Sequence, residues 1–220
     1  MKRVLVLGAT GRTGNAIIRQ IGNDEKIEVI AGIRGNIDVA RLPKIDRPIK
    51  EAVVDIDSIS SLSDAASSSD IIINAIRLRG NIPPNALMEL DMRIRNAISN
   101  EKYRHIITVG GAGSLQVSNG RRYWEDKQFP KTTLPRGIAH ANLRQHLERN
   151  MQEDSWTYLI PPPKYLPTGL RTGKYERWEP SINESHFLTK SISYEDFAVA
   201  VSSAIREEWE GTHLIGNREV

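Results

Sequence analysis

Three glycines spaced three apart, Gly8-Ala9-Thr10-Gly11-Arg12-Thr13-Gly14, stand between an apolar run, Val4-Leu5-Val6-Leu7, and the first amphipathic stretch of the chain. The chemistry such a turn serves is phosphate binding. Glycine allows the tight turn, lets the backbone approach a pyrophosphate, and permits close packing of helix on strand. The phosphates then meet the free amides and positive dipole end of a helix N-terminus. A glycine pattern alone is weak evidence. This one follows a strand, opens a helix and lies within a βαβ unit, the context that marks a dinucleotide site. Gly8, Thr10, Gly11, Arg12, Thr13 and Gly14 are therefore read as cofactor-binding. The next strand bears on which dinucleotide. In an NAD site, an acid about 20 residues past the turn holds the ribose 2′-hydroxyl. That position, after Val29-Ile30-Ala31-Gly32-Ile33, holds Arg34, and Asp38 lies beyond Gly35, outside the strand end. Arg34 and Arg12 offer two guanidiniums to a 2′-phosphate. NADPH is the expected cofactor, with NADH as the alternative if both arginines are merely solvated.

Elements must hold these residues in place, and their pattern is legible. Short apolar runs at Val4–Leu7, Val29–Ala31, Val53-Val54, Ile71–Ile73, Ile106–Val109 and Thr157–Ile160 read as strands buried in a parallel sheet. Between them, residues 14–22, 85–99 and 137–151 carry apolar side chains at helical spacing, and the serine-rich stretch 58–69 keeps that spacing through Ile59, Leu62, Ala65 and Ala66. The alternation predicts an α/β fold, a Rossmann doubly wound parallel sheet with helices on both faces. The last 60 residues differ. Pro161-Pro162-Pro163, Pro167-Thr168-Gly169 and Thr172-Gly173 make a turn-rich stretch, followed by a helix at about 193–206 capped by Ser193. The expectation is a single domain over 1–220, with a small substrate lobe at about 161–192 and a C-terminal helix.

Composition bounds the function. With 220 residues the chain is long enough to bury a sizeable core without staples. Thirty basic against 27 acidic residues give a net charge of +3, and the charges are interspersed. A nucleic-acid partner is therefore not expected. The absence of cysteine excludes a disulfide scaffold, a zinc-thiolate site and a cysteine nucleophile. No apolar run approaches the roughly 20 residues of a membrane span, and the N-terminal run is too short for a signal peptide. A cytoplasmic protein with no membrane partner is the expectation.

The glycine turn, Val109-Gly110-Gly111-Ala112-Gly113-Ser114-Leu115, Ala139-His140, Pro161-Pro162, Arg171-Thr172-Gly173-Lys174-Tyr175 and Ile192-Ser193-Tyr194-Glu195-Asp196-Phe197-Ala198-Val199-Ala200 together resemble an atypical short-chain dehydrogenase/reductase. The likeness is to the NmrA-like, NAD(P)H-binding group, and within it to small bacterial proteins called NADH-flavin reductases. It covers nearly the whole chain and is specific for fold and cofactor, not for a reaction. It implies that Asp55 and Ile56, after the third strand, lie against the adenine. It also implies that Ala75, Ile76, Gly110, Gly111 and Pro161 border the cofactor.

The same resemblance sharpens the question of catalysis. Well-characterised short-chain reductases place a serine after the fifth strand and a Tyr-x-x-x-Lys pair on the next helix. Here glycine holds the serine's place and Ser114 comes several residues late. A string of the right form, Tyr123-Trp124-Glu125-Asp126-Lys127, lies between Gly120 and Pro130, too confined for more than about two helical turns, and reads as loop. Residues His140, Arg144 and Glu148 share a helix face at i, i+4 and i+8. His140 is the candidate catalytic proton donor, against the preferred reading that it packs on the Gly110–Gly113 loop. Ser114, Tyr165 and Tyr175 are candidates for a substrate pocket, which Trp156 and Tyr158 could extend if they are not core. Hydride transfer between stacked rings needs no protein acid. The expected activity is thus an NAD(P)H-dependent reductase of a planar small-molecule acceptor, with FMN or FAD only as a substrate. The alternative is a non-catalytic NADPH-binding redox sensor with a protein partner.

Overall fold

The computed structural model describes residues 1–98, 104–152 and 154–217. The main sheet is built from β1 (Lys2–Leu7), β2 (Ile27–Ile33), β3 (Lys50–Val53), β4 (Ile71–Asn74), β5 (His105–Val109) and β6 (Trp156–Ile160). Its order is β3-β2-β1-β4-β5-β6, extended by two late strands, β8 (Glu176–Trp178) and β10 (Gly211–Gly216), as β6-β10-β8. All pairings are parallel except β10 with β8. A separate parallel pair joins β7 (Lys164–Leu166) to β9 (Ser191–Ser193).

Side chains alternate across the sheet with period two. Val4, Val6, Val29, Ala31 and Ile73 face α1 (Arg12–Ile21) and α5 (Tyr194–Glu207), whose Ile17, Ile21, Phe197 and Val201 complete that core. Leu5, Leu7, Ile30 and Ile72 face α2 (Ile59–Ala66) and α3 (Ala86–Ile98). Further along, Tyr158, Ile160 and Leu214 pack with Leu143 and Leu147 of α4 (Leu134–Asn150). The expected doubly wound sheet is therefore present, with helices on both faces. The third predicted helix ends at Ile98; residue 99 lies outside the described residues.

Two expectations change. Val53 is 56% exposed because β3 is an edge strand, while Val54 is buried. The C-terminal stretch is not only a lobe, since β8 and β10 join the main sheet. Only the segment around β7 and β9 stands apart, folded over the N-terminal turn of α5. Ser193 caps that helix by accepting from the Asp196 amide at 3.0 Å. The Asp196 carboxylate in turn takes the amides of Thr172 and Gly173 at 2.9 and 2.8 Å. Among the described residues no helix is long and apolar enough to cross a membrane.

Candidate cofactor site

The strand order places the topological switch point between β1 and β4, where the glycine turn leaves the sheet. Gly8 has φ of +78°, a backbone that favours glycine. The Gly11 amide donates back to the Gly8 carbonyl at 2.9 Å. Gly11 caps α1 with no side-chain cap, so the first-turn amides lack a partner within the helix. The turn excludes side chains. A Cβ on Gly14 would lie 2.3 Å from the Gly8 oxygen, one on Gly8 would lie 2.7 Å from the Ala75 oxygen, and one on Gly11 would meet the Gly8 oxygen at 3.1 Å. Ala75 and Ile76 thus stand against the turn through their backbone, with the Ala75 amide on the Leu7 carbonyl at 3.0 Å. Uncapped first-turn amides at so closely packed a turn fit a pyrophosphate.

A cleft of about 440 Å³ runs beside the turn, lined by Thr10, Gly11, Arg12, Asn15, Arg41 and Tyr194 among others. Arg34 is 81% exposed, and its Nε lies 3.6 Å from Asp38. Asp38 is buried and also pairs with Arg41 at 2.8 Å. That hydrogen bond, with Arg34 adding to it, holds the Asp38 carboxyl below the usual carboxylate range against the opposing effect of burial. The second Arg41 nitrogen reaches the Thr10 carbonyl at 3.5 Å. Arg41 was not among the expected residues. Its only signal is the spacing Arg34-x-x-x-Asp38-x-x-Arg41, which becomes meaningful once the 3₁₀ turn Asn36–Arg41 folds it back. Asp55, exposed, accepts from the Asp57 amide at 3.0 Å, a local turn bond. Ile56 packs partly on the α2–α3 core, and its carbonyl accepts from Arg93.

The three residues read as a substrate pocket lie apart from one another. The Tyr165 hydroxyl lies 3.3 Å from Thr13 Oγ1 in the glycine turn, and its ring is tilted against that of Tyr194 with centroids 3.9 Å apart. Burial raises its pKa above the usual phenol range. It therefore belongs to the turn. Tyr175 packs edge-on against Trp209, beyond the C-terminal end of α5 and away from Tyr165 at its start. Ser114 is fully buried, and its hydroxyl donates to the Gly111 carbonyl at 2.8 Å. Trp156 and Tyr158 are core residues as well.

On the β5 side, the glycines of 110–113 are explained by packing. A Cβ on Gly110 would lie 2.9 Å from the Tyr158 ring, one on Gly111 would lie 2.5 Å from the His140 ring, and one on Gly113 would lie 2.4 Å from Gly137 of α4. His140 Nδ1 is 2.9 Å from the Tyr158 hydroxyl. Burial, with Arg136 nearby, lowers the His140 pKa to about 4. A lowered pKa favours a neutral ring near pH 7, which supports the packing role that the sequence preferred. Arg144 does not share an open face with His140 either. It is buried, paired through two nitrogens with Glu184 at 2.8 Å each and through Nε with Glu148 at 2.7 Å. Its Nη1 also reaches the Ser114 carbonyl at 3.0 Å. Tyr123 lies in a short 3₁₀ turn, Tyr123–Glu125, edge-on to Phe129, with Lys127 beyond it and exposed. Pro161 is buried just past β6.

Comparison with known proteins gives this geometry a context. The profile of a family described as NAD(P)H-binding matches residues 8–208. The protein YwnB of Bacillus subtilis, itself uncharacterized, is 27% identical over 205 residues, 90% of each chain. Among solved structures, a Streptococcus pneumoniae protein provisionally named an NADH-flavin reductase matches with a TM-score of 0.80 at 20% identity, covering 99% of this chain and 100% of that one. A provisionally named epimerase from Bacteroides thetaiotaomicron matches at 0.82 and 22%, covering 100% and 98%. A Veillonella parvula short-chain dehydrogenase/reductase, solved in complex with NADP, matches at 0.68 and 14%, covering 98% and 94%. At these identities the structural likeness establishes the fold.

Proposed function

The chain belongs to the NAD(P)H-binding family, and from that premise we propose that it is an NADPH-dependent oxidoreductase reducing a flavin, a quinone or a similar planar acceptor. The observation that carries the reading is the glycine turn at the switch point, where the first-turn amides of α1 are uncapped and the backbone packs too closely for a Cβ on Gly8 or Gly14. The amides of Arg12, Thr13 and Gly14 would hold the pyrophosphate, with Tyr165 bracing Thr13. Arg34 and Arg41 would meet the 2′-phosphate, and Ala75, Ile76, Gly110, Gly111 and Pro161 would border the nicotinamide half. When bound, the dinucleotide supplies a hydride at its nicotinamide ring. The chain's own part is then to orient two flat rings and exclude water. His140 and Tyr158 would hold the Gly111 segment in place, and hydride transfer between stacked rings asks no proton of them. A neutral, packed His140 suits acceptors that need no protein acid, and the name of the Streptococcus neighbour points the same way.

The test is NADPH oxidation in the steady state with FMN, riboflavin and quinones, together with dinucleotide titration of wild type and Gly11→Val. The added side chain should abolish detectable NADPH binding while circular dichroism is unchanged. Unchanged affinity in that variant removes the basis of the reading. Tight NADPH binding with no turnover of any acceptor would favour the redox-sensing regulator instead.

A further inference from the structure

Asn15 directly follows the last glycine of the turn and lies near the start of α1. Asparagine is a poor residue for a helix, because its side chain competes for backbone groups. Here the side chain reaches out of the helix to separate parts of the chain. Its Nδ2 donates to the Ala9 carbonyl in the glycine turn at 3.2 Å, and to the Arg41 carbonyl at the end of the 3₁₀ turn at 3.0 Å. Its Oδ1 accepts from Arg19 Nη1, one helical turn on, at 3.1 Å. The neighbours fix which end of the amide is which, since a carbonyl can only accept and a guanidinium can only donate. Arg19 carries the contact on to Glu195, in the first turn of α5, at 2.8 Å.

The two carbonyls differ in what else holds them. The glycine turn is restrained without the Asn15 side chain, by the Gly11 amide on the Gly8 carbonyl at 2.9 Å, by the Asn15 amide on the Gly11 carbonyl at 2.8 Å, and by the close packing of Gly8 on Ala75. The 3₁₀ turn has less. Among the described residues two hydrogen bonds join Asn36–Arg41 to the glycine turn or to α1. One is the bond from Asn15 to the Arg41 carbonyl. The other runs from the Arg41 guanidinium to the Thr10 carbonyl and is long, at 3.5 Å. The backbone from which the Arg41 guanidinium extends is therefore tied to α1 through Asn15. Thr10, Arg12, Asn15 and Arg41 line the same cleft of about 440 Å³.

We propose that Asn15 is a positioning residue for dinucleotide preference, acting through Arg41 by holding its guanidinium beside the ribose 2′-phosphate of NADPH. This role rests on the reading of the glycine turn as a dinucleotide site with Arg41 at the 2′-phosphate, and it asks nothing of turnover. A guanidinium grips a phosphate through paired N–H groups in a fixed fork, so a displaced backbone weakens the grip even where the charge stays close. NADH has no 2′-phosphate, and its binding should not depend on where that fork lies.

The test is titration of NADPH and NADH against wild type, Asn15→Ala, Arg41→Gln and the double variant. Alanine is the better helix former, so the fold should be kept, and the substitution changes no charge. Asn15→Ala should weaken NADPH roughly fivefold, within the tenfold scale of one charge-assisted contact, and leave NADH within about twofold of wild type. Once Arg41 is Gln, the same substitution should weaken NADPH no further, whereas independent sites would multiply their effects. With fragments, Asn15→Ala should weaken 2′-AMP and spare 5′-AMP. An undiminished NADPH preference in Asn15→Ala, or a full further loss in the double variant, overturns the proposal. Equal weakening of NADPH and NADH assigns Asn15 to the glycine turn alone, which overturns it while the dinucleotide reading stands. Equal affinities of wild type for the two cofactors overturn it together with the place given to Arg41. If the expected pattern appears but no acceptor is reduced, the reductase reading falls and the role of Asn15 stands.

Discussion

Arg34 and Arg41 share one buried acid, and that sharing bears on cofactor choice. An NAD site offers the ribose a free carboxylate; here the available carboxylate, Asp38, is already held by two guanidiniums. A charge-assisted contact to a 2′-phosphate contributes about 1.5–3 kcal/mol, or roughly 10- to 100-fold in affinity. NADPH should therefore bind that much more tightly than NADH. Arg34→Asp should erase most of the preference, and Arg41→Gln should weaken NADPH about tenfold with less effect on NADH. Titration of both cofactors against the three proteins checks this, and equal affinities in wild type would contradict it. His140 makes a separate prediction. Its pKa in the fold is about 4, lowered first by burial, against about 6.5 in the unfolded chain. Between those values the unfolded state binds more protons, so stability is full above pH 6.5 and is lost as pH falls toward 4. From pH 7.5 to pH 5 this one group should withdraw roughly 2 kcal/mol. In urea unfolding, His140→Gln should lose less stability than wild type over that range. An identical pH dependence would show that the ring is not held neutral.

At the scale of elements, α4 is fixed by close backbone approach and by buried charge. Gly113 against Gly137 lets the 110–114 segment lie directly on the helix. Glu184, from the late turn-rich segment, reaches across to Arg144 and also takes the Gln116 amide at 2.7 Å. Burial alone would make the Arg144 charge unfavourable, but Glu184 and Glu148 outweigh it and keep the guanidinium protonated. Removing one member of such a pair leaves a buried charge uncompensated, at about 3–5 kcal/mol. Glu184→Gln should lower the melting temperature by on the order of 10 °C for a chain of this size. The double variant Arg144→Met/Glu184→Leu should recover part of the loss, because it removes both fully buried charges and leaves only the partly exposed Glu148 without its arginine. Calorimetry of both variants checks this, and a near-silent Glu184→Gln would mean that water reaches the pair.

For the whole molecule, binding at the switch point ties together β1, β4 and the segment behind Tyr165, so ligand should stabilise the entire fold. A ligand at 100 times its Kd adds about 2.7 kcal/mol, or roughly 5–10 °C in melting temperature here. A thermal scan with NADPH should show that shift, NADH at the same concentration a smaller one, and Gly11→Val none. A shift retained in Gly11→Val would place the ligand elsewhere.

Local spacing along the chain encodes the part of this protein that can be read without a structure. The glycine turn, its strand and its helix are contiguous, so their conformational demands fall on neighbouring residues and can be read in order. The six parallel strands and the principal helices were legible for the same reason, through apolar runs and helical periodicity. The resemblance carried by several short motifs pointed to the family that the profile match then established. The remainder waited on tertiary structure. β8 is three residues long and β10 mixes glycine and polar residues with apolar ones, and only their pairing beyond β6 makes them strands of the main sheet. Tyr165, Tyr175 and Ser114 looked equally fit for a pocket, yet one braces the turn, one covers Trp209 and one is sealed in the core. Arg41 comes to the glycine turn only through its reach to Thr10 and its tie to Asn15, far back along the chain. Burial and the meeting of charges depend on how elements approach one another in space, and neither is written in the spacing of residues along a strand or a helix.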